Sequence, residues 1–309
     1  MYAQRTAGFP YSCSILYNPT HMQQNLFFAV CLMPLLLCKE AYTQGQASVH
    51  DTGHAYALVW ADEFDGGPAP DSATWQFEKG FVRNHEWQWY QPGNARCING
   101  RLVIEARREH RPNPNYVAGS SDWRKANPFI EYTSSSLNTR GKRSWQYGRF
   151  EMRARIDTSM GLWPAWWTLG IEHPWPSNGE IDIMEFYRKD LLANIALGTA
   201  TAYKAKWYST KTAISRFADP QWASKFHTWR MDWDEDSLSL YVDDQLLNSQ
   251  PMSELYNRDS TRFNPFRQPH YMLVNLAVGG DNGGDPGSSP SPFPKRYEVD
   301  WIRVYQKRR

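Results

Sequence analysis

The nine residues RFEMRARID, Arg149–Asp157, put Phe150, Met152, Ala154 and Ile156 at every second position, with Glu151, Arg153 and Arg155 between them. Side chains of an extended chain alternate between its two faces, so this pattern is a β-strand with one buried and one solvated side. The same period of two recurs outward in both directions, in RLVIEARRE (101–109), SLSLYVDDQLL (237–247) and YEVDWIRVYQ (297–306). In the second of these, Asp243 and Asp244 supply hairpin-turn chemistry between two apolar arms. The apolar run YMLVNLAVGG (271–280) reads as an inner strand, and DNGGDPGSSPSPFP (281–294) as a loop of Gly, Pro and Ser. No stretch carries a long helical period with caps, and one short helical turn is expected near WASKF (222–226). Many short strands separated by turn residues, with no linker and no internal repeat, predict an all-β chain: one β-sandwich of the jelly-roll kind.

Composition narrows the function classes. A chain of 309 residues with 41% hydrophobic and 21% charged residues buries a real core without needing disulfides or metals. Its 34 Lys and Arg against 32 Asp and Glu leave a net charge of +2, far from the basic footprint of a nucleic-acid binder. Aromatic residues make up 15%, with 15 Trp, and flat apolar rings of this kind serve as platforms for sugars as well as core.

The first 47 residues are of a different material. Leu26–Cys38, LFFAVCLMPLLLC, is an apolar run of 13 residues, too short to span a bilayer and suited to a signal peptide. Gly45 and Ala47 offer a cleavage site, and Met22 is an alternative start. A lipid anchor on Cys38 is disfavoured because Leu37, not a small residue, precedes it. Three of the four cysteines, Cys13, Cys31 and Cys38, lie in this segment, so the mature chain carries Cys97 alone. The expected organisation is a signal peptide over 1–47 and a single domain over 48–309, secreted, periplasmic or held at the cell surface, monomeric and with no transmembrane span.

The residues richest in chemistry are NGEIDIMEFY, Asn178–Tyr187, which set Glu180, Asp182 and Glu185 within six positions of one strand-like run. On a regular strand Glu180 and Asp182 share a face and Glu185 points away from it. A one-residue bulge would return Glu185 to the face of the other two, and bulges concentrate beside active sites. The two Glu Cα atoms would then stand about 13 Å apart at about 3.3 Å per residue. Inward-leaning side chains of that spacing bring carboxyls to the separation of about 5–5.5 Å at which retaining glycosidases work. Asp182 between them would hydrogen-bond one Glu and keep the pair unequally protonated, which suits a nucleophile and an acid/base.

This run and its surroundings resemble glycoside hydrolase family 16, the family of laminarinases, lichenases, agarases and carrageenases. The resemblance covers the mature chain in order: VWADEFDGG from Val59, NGRLVIEARRE, YTSSSLNTRGKRSWQYGRFEMRARI, GLWPAWWTLG, GEIDIMEF, FHTWRMDWDEDSLSLYVDDQLL, VNLAVGGDNGGDP and FPKRYEVDWIRVYQ. The form ExDxxE is similar to the laminarinase and agarase branches rather than the bulge-free lichenase branch. The resemblance implies a substrate cleft across the concave sheet of the jelly roll. It implies Glu180 as nucleophile, Asp182 as its helper and Glu185 as general acid/base. It also implies Trp163 and Trp167 beside the acidic strand, with core packing as their plain alternative, and Asn84 and Glu86 of NHEWQWY as ligands of sugar hydroxyls. Arg149 and Asn275 are further cleft candidates. No cofactor is required for the chemistry, but a structural Ca²⁺ is implied, held by Asp300 and the carbonyls of Glu63 and Gly100, an oxygen set that suits this ion. His227 is assigned no chemistry.

One departure bears on the substrate. Many laminarinase-like members carry a His just after the acidic strand, whereas ANIALGTATAYKAKWYSTK (193–211) has none. Lys204, Lys206 and Trp207 in that stretch could address an acidic or sulfated sugar, with a solvated loop as the blander reading. The resulting expectation is a retaining endo-glycosidase acting on β-linked polysaccharide, β-1,3- or β-1,3-1,4-glucan first. Its alternatives are a galactan hydrolase of the agarase, porphyranase or carrageenase type, a transglycosylase, or a non-catalytic glycan-binding protein.

Overall fold

The structure, a computed structural model, describes residues 56–288 and 292–308. The apolar run Leu26–Cys38 and the signal segment expected around it lie outside the described residues. Among the described residues no helix is long and apolar enough to cross a membrane.

Period-two alternation becomes strand, as RFEMRARID predicts. Gly148–Ile156 is a strand in which every second residue is buried. It pairs antiparallel with His227–Trp233 on one side and Lys295–Lys307 on the other. These belong to a ten-stranded sheet whose path runs Gln245–Pro251, Ser237–Val242, His227–Trp233, Gly148–Ile156, Lys295–Lys307, Leu102–Pro112, Phe129–Ser134 and Gln88–Tyr90, with Tyr56–Asp62 and Ala95–Cys97 attached beside it. A seven-stranded sheet runs Ala205–Ala213, Asp190–Gly198, Glu180–Tyr187, Leu162–Gly170, His270–Val278, Ser136–Asn138 and Gln76–Phe77. Two sheets sharing one apolar interior make the sandwich that the sequence predicts.

The shared core fixes which face of each strand is left for function. Phe150, Met152, Trp229 and Val304 from the larger sheet meet Trp166, Ile183, Phe186 and Val274 from the smaller in one buried cluster. On the smaller sheet the alternate positions therefore face away from the core. A second, small apolar cluster of Ala165, Trp167, Tyr271 and Leu273 lies on that outward face. His270–Val278 is buried along its whole length, as an inner strand should be.

Turn chemistry is equally local in origin. Asp243 and Asp244 both take left-handed backbone angles, φ 45° and 63°, in the two-residue hairpin between Ser237–Val242 and Gln245–Pro251. Trp222–Ser224 forms the short helical turn expected near WASKF, as a 3₁₀ turn. NHEWQWY is strand only over Gln88–Tyr90, because Asn84 and His85 turn the chain with φ 54° and 48°. One expectation needs correction. The segment read as pure loop from Asp281 opens with a four-residue helix, Gly280–Gly283.

Trp166 is fully buried at the centre of the shared core. Trp166→Ala is expected to lower the unfolding free energy by about 3–5 kcal/mol, read by urea denaturation; a loss below about 1 kcal/mol would mean that the core does not rest on this layer.

Candidate active site

The acidic strand Glu180–Tyr187 lies between Leu162–Gly170 and Asp190–Gly198, antiparallel to both. Its pairing with each neighbour slips after Asp182, the register break of a bulge. Ile183 and Met184 are consecutive, and both are buried in the core. Two successive inward residues restore the phase, so Glu185 returns to the face of Glu180 and Asp182 as the residue count in ExDxxE requires. The strand enters through Gly179, whose φ of +77° and close packing on Pro265 and Phe266 leave no room for a side chain.

The three carboxyls form a chain of hydrogen bonds. Asn194, opposite Asp182 on the next strand, donates its one amide nitrogen to Asp182 Oδ2 at 3.0 Å and to Glu185 Oε2 at 2.9 Å. Asp182 in turn shares a hydrogen bond with Glu180. The outer oxygens are held by indoles: Trp163 Nε1 donates to Glu185 Oε1 at 2.6 Å, and Trp175 Nε1 to Glu180 Oε2 at 2.5 Å. Burial pushes all three acids up, and mutual repulsion adds to it for Glu180 and Glu185, whose pKa values rise well above the usual carboxylate range. Asp182 rises to about 6, because burial outweighs its hydrogen bonds from Asn194 and Glu180. The Trp175 donor opposes the rise at Glu180, and the Trp163 donor, the charge of Lys211 and the Asn194 donor oppose it at Glu185. The group can hold one or more protons near neutrality and pass them without large movement.

Around the acids is a cleft of about 730 Å³, lined by aromatic rings and polar groups. Trp163, Trp167, Asn84, Glu86 and Asn275 all line it, as the sequence led us to expect. Asn275 Oδ1 accepts the indole N–H of Trp167 at 2.8 Å, which sets the ring's angle at the cleft wall. Glu86 is buried and accepts from Gln88, Asn84 and the Tyr90 hydroxyl at 2.7, 3.2 and 3.2 Å. Its pKa is raised by burial in spite of those donors and of Arg83.

Arg149 is not in the cleft, and its expected role there is corrected. In RFEMRARID the residue precedes Phe150, so it projects from the outer face of the larger sheet, where it pairs with Asp232 at 2.7 Å. Asp300, the one side-chain ligand of the implied calcium set, stands where the pairing of Lys295–Lys307 slips, and its carboxylate accepts from Arg101 at 3.3 Å and from Arg153. A carboxylate held by two guanidiniums does not suit a divalent ion, and no step is derived through one. His227, given no chemistry, is buried between Asp243 and the Trp222 carbonyl.

Sequence reasoning missed Trp175, Asn194, Arg83 and Lys211, all of which line the cleft. Asn194 left a signal, being the one polar residue inside the apolar run LLANIAL (191–197). Arg83 sits 5.2 Å above the Trp167 ring, a contact between distant segments that no local pattern announces, and pairs with Glu78 five residues before it.

Comparison with known proteins agrees with this geometry. The family model described as glycosyl hydrolases family 16 matches residues 81–303. A β-glucanase of Rhodothermus marinus is 36% identical over 270 residues, covering 83% of this chain and 87% of that protein. The catalytic domain of an endo-1,3-β-glucanase (laminarinase) from Thermotoga petrophila is 31% identical with a TM-score of 0.68, covering 83% of this chain and all of that one. A structure from work on endo-acting O-glycanases with which human gut bacteria initiate mucin breakdown is 33% identical with a TM-score of 0.73, covering 82% of this chain and 92% of that one.

The raised pKa of Asp182 sets a sign for stability. A carboxyl whose pKa is raised by folding stabilises the folded state below its unfolded value, near 4, and loses that contribution as pH climbs through about 6. Asp182→Asn is therefore expected to gain on the parent by on the order of 3 kcal/mol between pH 3.5 and pH 7.5, measured by urea unfolding at both. A stability difference that does not change with pH would contradict the assignment.

Proposed function

The chain belongs to family 16 of the glycosyl hydrolases, and from that premise we propose that it is a retaining endo-glycosidase hydrolysing β-linked glucan, with Glu180 as nucleophile and Glu185 as general acid/base. The single observation that carries the assignment is the bulge after Asp182, which sets both glutamates on one face of one strand inside the cleft. The choice of glucan follows the relatives, which include a β-glucanase and an endo-1,3-β-glucanase.

The geometry supports a double displacement. With a sugar ring seated among Trp163, Trp167 and Tyr271, the ionised Glu180 carboxylate attacks the anomeric carbon while Glu185 gives its proton to the departing glycosidic oxygen. The bond from anomeric carbon to leaving oxygen breaks and an ester to Glu180 forms. Glu185, now ionised, takes a proton from water, whose oxygen displaces Glu180 and restores the starting configuration. The Trp175 indole N–H stabilises the Glu180 anion before attack and as it is regenerated. Asp182 accepts or releases the proton shared with Glu180 as that charge comes and goes. The Asn194 amide holds Asp182 and Glu185 apart at a fixed angle. The reading includes export from the cytoplasm, supported by the apolar run Leu26–Cys38 and by a substrate too large to enter a cell.

Glu185→Gln is expected to reduce reducing-sugar release from laminarin by about 10²–10⁴-fold with the fold intact. A 2-deoxy-2-fluoro gluco-oligosaccharide carrying a reactive leaving group is expected to add one glycosyl mass to the peptide bearing Glu180. Labelling of another residue, or normal activity in Glu185→Gln, would overturn the assignment.

A further inference from the structure

The cleft does not end at Trp175. A second cavity of about 640 Å³ shares Leu169, Trp175 and Tyr271 with it, so a chain crossing the acids meets both. The two cavities differ in charge. The cleft is lined by five acids, Glu78, Glu86, Glu180, Asp182 and Glu185, against two cations, Arg83 and Lys211, whereas the second cavity is lined by Arg140, Lys142, Arg143 and His173 and by no Asp or Glu.

Arg140, Lys142 and Arg143 come from one tight turn. The Thr139 carbonyl accepts the backbone N–H groups of Lys142 and Arg143, and the Thr139 hydroxyl donates to the Arg143 carbonyl at 2.8 Å. Their side chains are held by neutral groups alone: Lys142 by the Ser72 carbonyl, Arg143 by the Thr74 hydroxyl at 3.5 Å, and Arg140 over the Tyr271 ring at 5.9 Å. None of the three forms an ion pair among the described residues. On the outer face of the larger sheet, by contrast, Arg149, Arg153, Arg155 and Arg303 are each matched to a carboxylate. Like charges on one turn repel, and no carboxylate among the described residues forms an ion pair with them. Tyr271 joins the turn to the cleft, because its ring lies under Arg140 and lines both cavities.

We propose that this second cavity is a subsite for an anionic substituent, a sulfate ester or a carboxylate, carried by the polysaccharide one or more sugars away from the bond being cleaved. The proposal rests on the polysaccharide reading of the cleft and narrows it: the preferred polymer bears negative charge. Guanidinium groups suit such an anion because they offer paired N–H donors to two of its oxygens. The acids in the cleft repel the same substituent from the cleavage site, so attraction and repulsion together set where along the chain it is accepted.

The test compares laminarin, laminarin sulfated to low density, and carboxymethylated laminarin as substrates and as affinity-gel matrices. The proteins are the parent, the triple variant Arg140→Ala/Lys142→Ala/Arg143→Ala, and a charge-matched control, Arg96→Ala/Lys125→Ala/Arg216→Ala, altered outside both cavities. The expected result is a kcat/KM ratio of anionic to neutral polymer of about tenfold in the parent and control, collapsing in the triple variant. Gel retardation by the anionic polymers should follow the same order, and salt should weaken it in the parent more than in the variant. The sulfated and carboxymethylated arms separate the two anions. Equal ratios and equal retardation in parent and triple variant would overturn the subsite. Failure of the parent to cleave any of the three polymers would instead sink the glucan reading, and the gels would still decide the subsite.

Discussion

One extra residue in the strand Glu180–Tyr187 governs the chemistry of the whole molecule. Ile183 and Met184 both turn into the core between the sheets, and the pairing with each neighbouring strand slips to admit them. Without that slip Glu185 would lie in the apolar interior, where an unpaired carboxyl costs several kcal/mol, and the cleft would hold one glutamate. The core thus enforces the bulge: two consecutive apolar side chains have only one place to go, and the acid following them is driven out to the cleft face.

The bulge also creates a problem that the surroundings solve. Three carboxyls on one face of one strand repel each other, and burial raises each of them further. Asn194 binds two of the three with one amide, and the indoles of Trp163 and Trp175 each hold an outer oxygen. The same indoles face a cleft that needs apolar surface for sugar rings, so one set of aromatic side chains serves both electrostatics and shape. Farther out, the charge changes sign at the turn bearing Arg140, Lys142 and Arg143, and the cleft acquires a direction.

Much of this was legible in the sequence because its determinants are local. Alternation in RFEMRARID reports a strand, paired aspartates report a hairpin, and the spacing ExDxxE reports a bulge, since two acids five residues apart can share a face only if the strand breaks phase. What stayed hidden depends on pairing between distant segments. Arg149 was misplaced because alternation gives two faces without saying which one carries the cleft. In the structure the neighbouring Phe150 faces the shared core from the larger sheet, which leaves Arg149 outside with Asp232. Asp300 shows in the sequence as an acid, but its partners do not: Arg153 on a neighbouring strand and Arg101 in the bend just before Leu102–Pro112. Trp175 and Arg83 belong to loops whose return to the cleft no period encodes.

The central claim is stereochemical: one bulge places two glutamates so that one attacks and the other protonates, and two inversions at the anomeric carbon give retention. The most direct measurement is proton NMR of laminarin hydrolysis in its first minutes, before mutarotation mixes the products. The account predicts that the β-anomer of the new reducing end appears first and the α-anomer only later. First appearance of the α-anomer would mean that water attacks in a single displacement and that the two carboxyls do not stand as the bulge places them.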